Sequence, residues 1–214
     1  MPITRLYLIR HGETLANREY RYIGTRDDPL SALGEIQALQ LAEALSGLTI
    51  AAVYSSPLQR TYQTALPIVA RHSLEVERVD DLRECNFGLW EGMSRAEVLE
   101  RSPEDRQRYH EWERNTSIAP PGGESFEALQ QRVVTAIERL AQAHPDQAIV
   151  LVSHVGPIKV LLGAAPGAPL SSAFQIFLDP ATISVVDWRD ATNATIRLVN
   201  SHAHLGWQEA RWMK

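Results

Sequence analysis

Apolar residues along this chain follow two alternating rhythms. Residues 4–9, "TRLYLI", form an extended apolar run and read as a buried strand. After a polar loop, "LSALGEIQALQLAEAL" sets Ala38, Leu41, Ala42 and Leu45 at helical spacing, with Ser31 placed to cap the helix. "IAAVYSS" is a short strand that stops at Pro57, and "LQRTYQTALPIVA" reads as a helix that Pro67 should break or kink. A further strand falls near 74–79. Residues 94–123 are polar and irregular, closed by the turn signal "PPGGES". From Ser125 the spacing of Leu129, Val133, Ala136, Ile137 and Leu140 predicts an amphipathic helix. "AIVLVS" follows, the kind of run found in parallel strands buried on both faces, and "TISVVDW" and "ATIRLV" flank "RDATN" as a hairpin.

Strands interleaved with helices predict an α/β fold: three layers, α/β/α, around a mostly parallel central sheet, with the final hairpin as an antiparallel edge. No internal repeat, low-complexity tract or linker divides the chain, so 1–214 is expected to be one domain, with 94–123 as a lid-like insertion. A 44% hydrophobic, 22% charged composition supports one ordinary core. The net charge of −5 supplies no global field for nucleic acid or an anionic membrane, so an anionic ligand must be caught by a local cluster of cations. Cys85 is the only cysteine, which excludes an internal disulfide and a cysteine-rich zinc site. Arg5 and Arg10 interrupt the apolar run at the N-terminus, and no apolar stretch approaches bilayer length, so a soluble, cytoplasmic protein is expected. No coiled-coil seam or distinctive apolar face marks an oligomer interface.

Ligands of open α/β sheets bind outside the carboxyl ends of the strands, and this chain places unusual residues at four such points. Arg10 and His11 follow the first strand, Arg60 starts the helix after the second, Glu84 ends the segment after the third, and His154 follows "IVLVS". Singly, each histidine reads best as a structural residue and each arginine as a solvated charge. Together at one edge they would repel one another unless an anion joins them. A tetrahedral dianion such as phosphate suits two guanidinium forks.

"LIRHGET" resembles the signature of the histidine phosphatase superfamily, also called the phosphoglycerate mutase-like family. "IGTRDDPLSALGEIQA", "YSSPLQRTYQTA", "LRECNFGLWEG", "PGGES" and "VSHVGPI" resemble further motifs of that family, in its order and along nearly the whole chain. The resemblance implies His11 as a nucleophile that takes the phosphoryl group on a ring nitrogen. It implies Arg10, Arg60 and His154 as a clamp on the phosphoryl oxygens, Asn17 as a further contact, and Glu84 as proton donor to the leaving oxygen. Val155 stands where a glycine is common, and its backbone N–H keeps the same contact available. No metal or other cofactor is implied, and the partner would be a small phosphorylated metabolite.

The chemistry fits those residue types. A neutral imidazole attacks phosphorus, and its other nitrogen needs a fixed acceptor such as a backbone carbonyl. Phosphoryl transfer needs mainly positioning and charge stabilisation, which cationic groups can provide. Rival signatures are absent: Glu91, not arginine, lies six residues after Cys85, and neither an Asp-x-Asp nor a GxxxxGK[ST] motif occurs. "HAH" at 202–204 could set two imidazoles on one strand face for a metal, with packing as the plainer reading. Two other functions share the resemblance. A cofactor-dependent phosphoglycerate mutase would show paired arginines for a glycerate carboxylate, but 94–123 has no adjacent arginine pair, and "FGLWEGMS" is the form typical of the phosphatases. A catalytically idle binding protein would normally have lost one of the five site residues. Tyr109, Trp112 and Arg114 are candidates to touch the leaving group.

Overall fold

The alternating residues of β1 (Thr4–Arg10) have two destinations. In the computed structural model, which describes residues 2–206, Leu6 and Leu8 enter a core shared with Leu129, Val133 and Ile137 of α6 (Phe126–Ala143). Tyr7 and Ile9 face the opposite core, formed with Leu41 of α2 (Ala32–Leu45) and Ile68 of α3 (Gln59–His72). β4 (Ala148–Ser153) divides the same way, Ile149 and Leu151 to one side and Val150 and Val152 to the other. Each such side chain removed from water contributes about 1.5–3 kcal/mol, so burial on both faces explains the unbroken apolar runs.

The sheet has six strands in the order β3-β2-β4-β1-β5-β6. β2 (Ala52–Ser55), β3 (Val76–Arg78), β4 and β1 run parallel, whereas β5 (Ile183–Asp190) is antiparallel to β1 and pairs with β6 (Asn193–Ser201) as the terminal hairpin. Helices cover both faces, α2 and α3 on one and α6 and α7 (Val155–Ala164) on the other, giving the expected three layers. Register fixes the site: Arg10 lies opposite Ser153, and Ser55 opposite Val152. The residues that follow these strands, His11, Ser56 and His154, are therefore brought to one edge.

Three local expectations change. α3 runs through Pro67 as far as His72. Proline removes one backbone donor and costs about 3 kcal/mol inside a helix, but Ala65, Ile68 and Val69 are buried around it and half-exposed Pro67 lies off that face. Residues 94–123 are not irregular, since they hold α4 (Arg95–Arg101) and α5 (Pro103–Trp112). Ser94 and Glu97 form a reciprocal cap at the start of α4, and Ser102 caps α5 with Pro103 in its first turn, where a missing N–H costs nothing. The "HAH" tract lies beyond β6: buried His202 meets buried Asp179 at 2.8 Å, and His204 Nε2 lies 2.8 Å from the Ala181 carbonyl. Among the described residues no group of three or more His, Cys, Asp or Glu is placed to hold a metal ion, and no helix is long and apolar enough to cross a membrane.

Candidate active site

The end of β1 is bonded from both sides. Arg10 N donates to Thr182 O at 3.2 Å, His11 N to Ser153 O at 3.0 Å, and Ala181 N to His11 O at 3.0 Å. Gly12 follows because a Cβ there would lie 2.6 Å from the Gly34 carbonyl oxygen, closer than any side chain permits. Within this turn His11 Nδ1 lies 2.7 Å from the Gly12 carbonyl. A carbonyl only accepts, so Nδ1 carries the hydrogen and Nε2 keeps its lone pair. Burial first, then Arg60 and Arg10, hold this imidazole well below its usual pKa of 6.5.

Arg60, in the first turn of α3, is fully buried. Its Nη1 donates to Arg26 O at 2.6 Å, Nη2 to Gly24 O at 2.8 Å and Nε to His154 Nδ1 at 3.2 Å. Three of five N–H groups thus fix the fork. Burial lowers its pKa to about 10, opposed by Glu84 and by Asp28, Asp27 and Glu91, and this leaves it cationic at neutral pH. Arg10 Nη1 donates to Leu178 O at 2.5 Å. His154 precedes α7 with its ring 5.1 Å from that of His11, edge to face. Both of its ring nitrogens meet protein groups, Nδ1 the Arg60 Nε–H and Nε2 the Ser56 Oγ at 2.9 Å. Burial and the surrounding cations push its pKa well down, so it is neutral.

Glu84 is buried, and Oε1 accepts from Cys85 N at 2.8 Å and Gly156 N at 3.0 Å. Both bonds fall on one oxygen, which leaves Oε2 to carry a proton. Burial raises the carboxyl pKa, against the opposing pull of those N–H groups and of Arg60 and Arg10. A Cβ at residue 156 would collide with Oε1, so any larger residue there would displace the Glu84 carboxyl group. The Glu84 backbone is held by Arg132 of α6, whose guanidinium donates to the carbonyls of Asp81 (2.7 Å), Arg83 (3.0 Å) and Glu84 (3.1 Å). Glu124 grips the same guanidinium at 2.7 and 2.8 Å.

A cavity of about 250 Å³ opens on these groups. Arg10, His11, Asn17, Arg60, Glu84 and Val155 line it, whereas His154 sits behind His11 and Arg60. Asn17 lies in the short helix α1 (Leu15–Arg18), and its Oδ1 accepts from Thr14 N at 3.1 Å, which makes the amide NH2 its donor end. Away from the cations, the wall is aromatic: Tyr22, Phe87, Trp112, Phe126 and Phe174. Of the three residues singled out for the leaving group, Trp112 reaches the cavity. Tyr109 is buried beneath it, its hydroxyl 2.7 Å from that of Tyr22, and Arg114 lies on a separate surface hollow. Ser56, Arg132, Lys159 and most of the aromatic wall escaped the sequence reading. Gly156 was signalled by the motif itself, a glycine two residues after the histidine.

Residues 6–201 match the family model of the histidine phosphatase superfamily (branch 1). A bifunctional protein of Mycobacterium tuberculosis is 40% identical over 94% of this chain, which spans only 55% of that relative's length. Phosphoserine phosphatase 1 of Hydrogenobacter thermophilus is 37% identical, with 95% of each chain covered. The crystal structure of the alpha-ribazole phosphatase from Shigella flexneri superposes with a TM-score of 0.81 at 35% identity, covering 93% of this chain and 97% of the other. The chain belongs to the histidine phosphatase superfamily, branch 1.

Proposed function

We propose that this protein is a phosphomonoesterase that hydrolyses small phosphorylated metabolites through a phosphohistidine on His11. One observation carries the reading: the Nδ1–Gly12 bond leaves the Nε2 lone pair of a neutral imidazole in a cavity beside Arg10, Arg60 and a buried carboxyl group whose pKa burial raises. The names of the phosphatase relatives support the same reaction class. In the first step Nε2 attacks phosphorus, the bond to the leaving oxygen breaks, and Glu84 Oε2 gives that oxygen its proton. In the second, Glu84 takes a proton from water, whose oxygen attacks phosphorus and breaks the P–N bond. Neutral His11 and protonated Glu84 are then restored as phosphate leaves.

Arg10, the two remaining N–H groups of Arg60, the Asn17 amide and the Val155 N–H at the start of α7 would hold the phosphoryl oxygens. His154 orients Arg60, and direct contact with the anion requires one of its two ring bonds to give way. Charge on the transferring group is met by these residues, so turnover should survive EDTA. Residues 94–123 act as the roof over the leaving group. The test is phosphate release from p-nitrophenyl phosphate in EDTA, together with acid-labile, base-stable labelling of wild type but not of His11→Ala. Phosphorus NMR of 3-phosphoglycerate separates the mutase: rapid conversion to 2-phosphoglycerate that depends on 2,3-bisphosphoglycerate, with little free phosphate, would overturn hydrolysis.

A further inference from the structure

The wall of the cavity away from the phosphoryl clamp is rich in donors and poor in acceptors. Lys159 lines it from α7, one helical turn beyond Val155 and on the same face. Among the described residues no hydrogen bond or ion pair engages its ammonium group. Arg21, the neighbouring cation, is already committed to Glu19 and Glu97 at 2.7 Å each and to Gly92 O at 2.8 Å. Trp112 lines the same cavity with its ring, its indole N–H being buried away from solvent. Among the described residues Glu84 is the one carboxylate on the cavity wall, and its Oε1 already accepts two backbone N–H groups.

Lys159 is half-buried, and burial lowers its pKa. Gly156, three residues earlier and on the same face of α7, donates its N–H to Glu84 Oε1 at 3.0 Å, which sets Lys159 on the Glu84 side of the cavity. In the proposed reaction that is the leaving-group side of the transferring phosphoryl group. What would satisfy the ammonium is an anionic acceptor on the leaving group.

Resting on the phosphatase reading above, we infer that Lys159 is a specificity-determining residue that receives a carboxylate carried by the leaving group, so that phosphorylated carboxylic acids are the preferred substrates. A phosphate-binding lysine would instead serve every ester alike. Glycerol 3-phosphate and 3-phosphoglycerate share a three-carbon scaffold and differ in a hydroxymethyl group against a carboxylate, which makes them the probe pair. Wild type should favour 3-phosphoglycerate in kcat/KM. Lys159→Met, which keeps length and apolar packing, should reduce that preference by roughly tenfold to a hundredfold, the range for one charge-assisted hydrogen bond, and Lys159→Arg should restore most of it.

The same ratio is read without turnover by calorimetry of both esters with His11→Ala, alone and combined with Lys159→Met. Loss of 3-phosphoglycerate selectivity in both measurements supports the assignment. Equal losses for the two esters, or no preference in the wild type, would overturn it. If wild type hydrolyses neither ester nor p-nitrophenyl phosphate, the hydrolase reading fails, and the calorimetric ratio still decides the role of Lys159.

Discussion

The two ends of the cavity are built by different means. The end proposed to take the phosphoryl group consists of residues at strand ends and in the first turn of a helix, each held by backbone hydrogen bonds or by other site residues. His11 is bonded through its N–H, its carbonyl and its ring, and Arg60 through three of its donors. The leaving-group end consists of side chains packed on side chains. Trp112 meets Tyr22 and Phe87 nearly edge to face, and Phe126 and Phe174 lie with ring centroids 4.7 Å apart. A backbone-held centre fixes what reaction occurs, whereas a packed aromatic wall can be recut without disturbing the sheet. Substitutions at the first end should therefore remove turnover and spare stability, and those at the second should do the reverse.

The largest effect belongs to His11→Ala. On the proposed phosphohistidine route its loss removes the nucleophile, and turnover should fall roughly 10⁴-fold or more, with the urea midpoint little changed. Substantial residual hydrolysis in EDTA by this variant would mean that the strand-end cluster is not the reaction centre, and the contrast between the two ends would collapse.

Glu84→Gln comes next. It keeps the shape and removes the proton, so alkyl phosphates should lose roughly 10²–10⁴-fold, and p-nitrophenyl phosphate, whose phenolate leaves unaided, much less. The sign of the pH dependence follows from the two shifted groups. His11 must be neutral, so activity is lost as pH falls through its depressed pKa, below 6.5. Glu84 must be protonated, so activity is lost as pH rises through its raised pKa, above 4.5. The two shifts widen the pH range in which both conditions of the proposed mechanism hold, and Glu84→Gln should abolish the alkaline limb. An alkaline limb that persists unchanged in the variant, measured with an alkyl phosphate, would assign it to another group.

The first end was legible in the sequence and the second largely was not. Strand termini advertise themselves, because the apolar runs of β1 and β4 stop abruptly at charged or imidazole side chains. What holds those residues was hidden: the carbonyls of Gly24 and Arg26 that fix Arg60 come from a loop more than thirty residues away. α5 was missed because its buried face, Asp105, Tyr109 and Trp112, includes a carboxylate. Asp105 accepts from the buried Trp90 indole at 2.9 Å and from Arg101 at 2.7 Å, so a core position reads as a surface charge. Pro103 occupies the first position of the helix, where proline is favoured.

Trp112→Ala tests the packed end. The ring contacts Trp90, Tyr109 and Phe126 as well as the cavity, and truncation leaves a void that six neighbouring aromatic side chains cannot close together. Stability should fall by about 3 kcal/mol in urea titration. Stability within 1 kcal/mol of wild type by the same titration would show that α4 and α5 dock independently of this ring.

The smallest effect sharpens the comparison. Tyr22 and Tyr109 share one hydrogen bond between hydroxyls 2.7 Å apart, a polar link between the cavity wall and the buried face of α5. Tyr109→Phe removes that link and strands the Tyr22 hydroxyl in a half-buried aromatic setting, which should cost about 1 kcal/mol. Replacing both hydroxyls removes the stranded group as well, so the double variant should lose less than the sum of the two single losses. A double-mutant cycle should return a coupling of about 0.5–1.5 kcal/mol. Tyr109 is absent from the cavity wall, so its hydroxyl can influence catalysis only through the seating of Tyr22. If the wall is held by packing, the cycle shows that coupling in stability and none in kcat/KM for p-nitrophenyl phosphate. Coupling of equal size in both would show that this single hydroxyl pair, rather than the stacked rings, sets the shape of the leaving-group end.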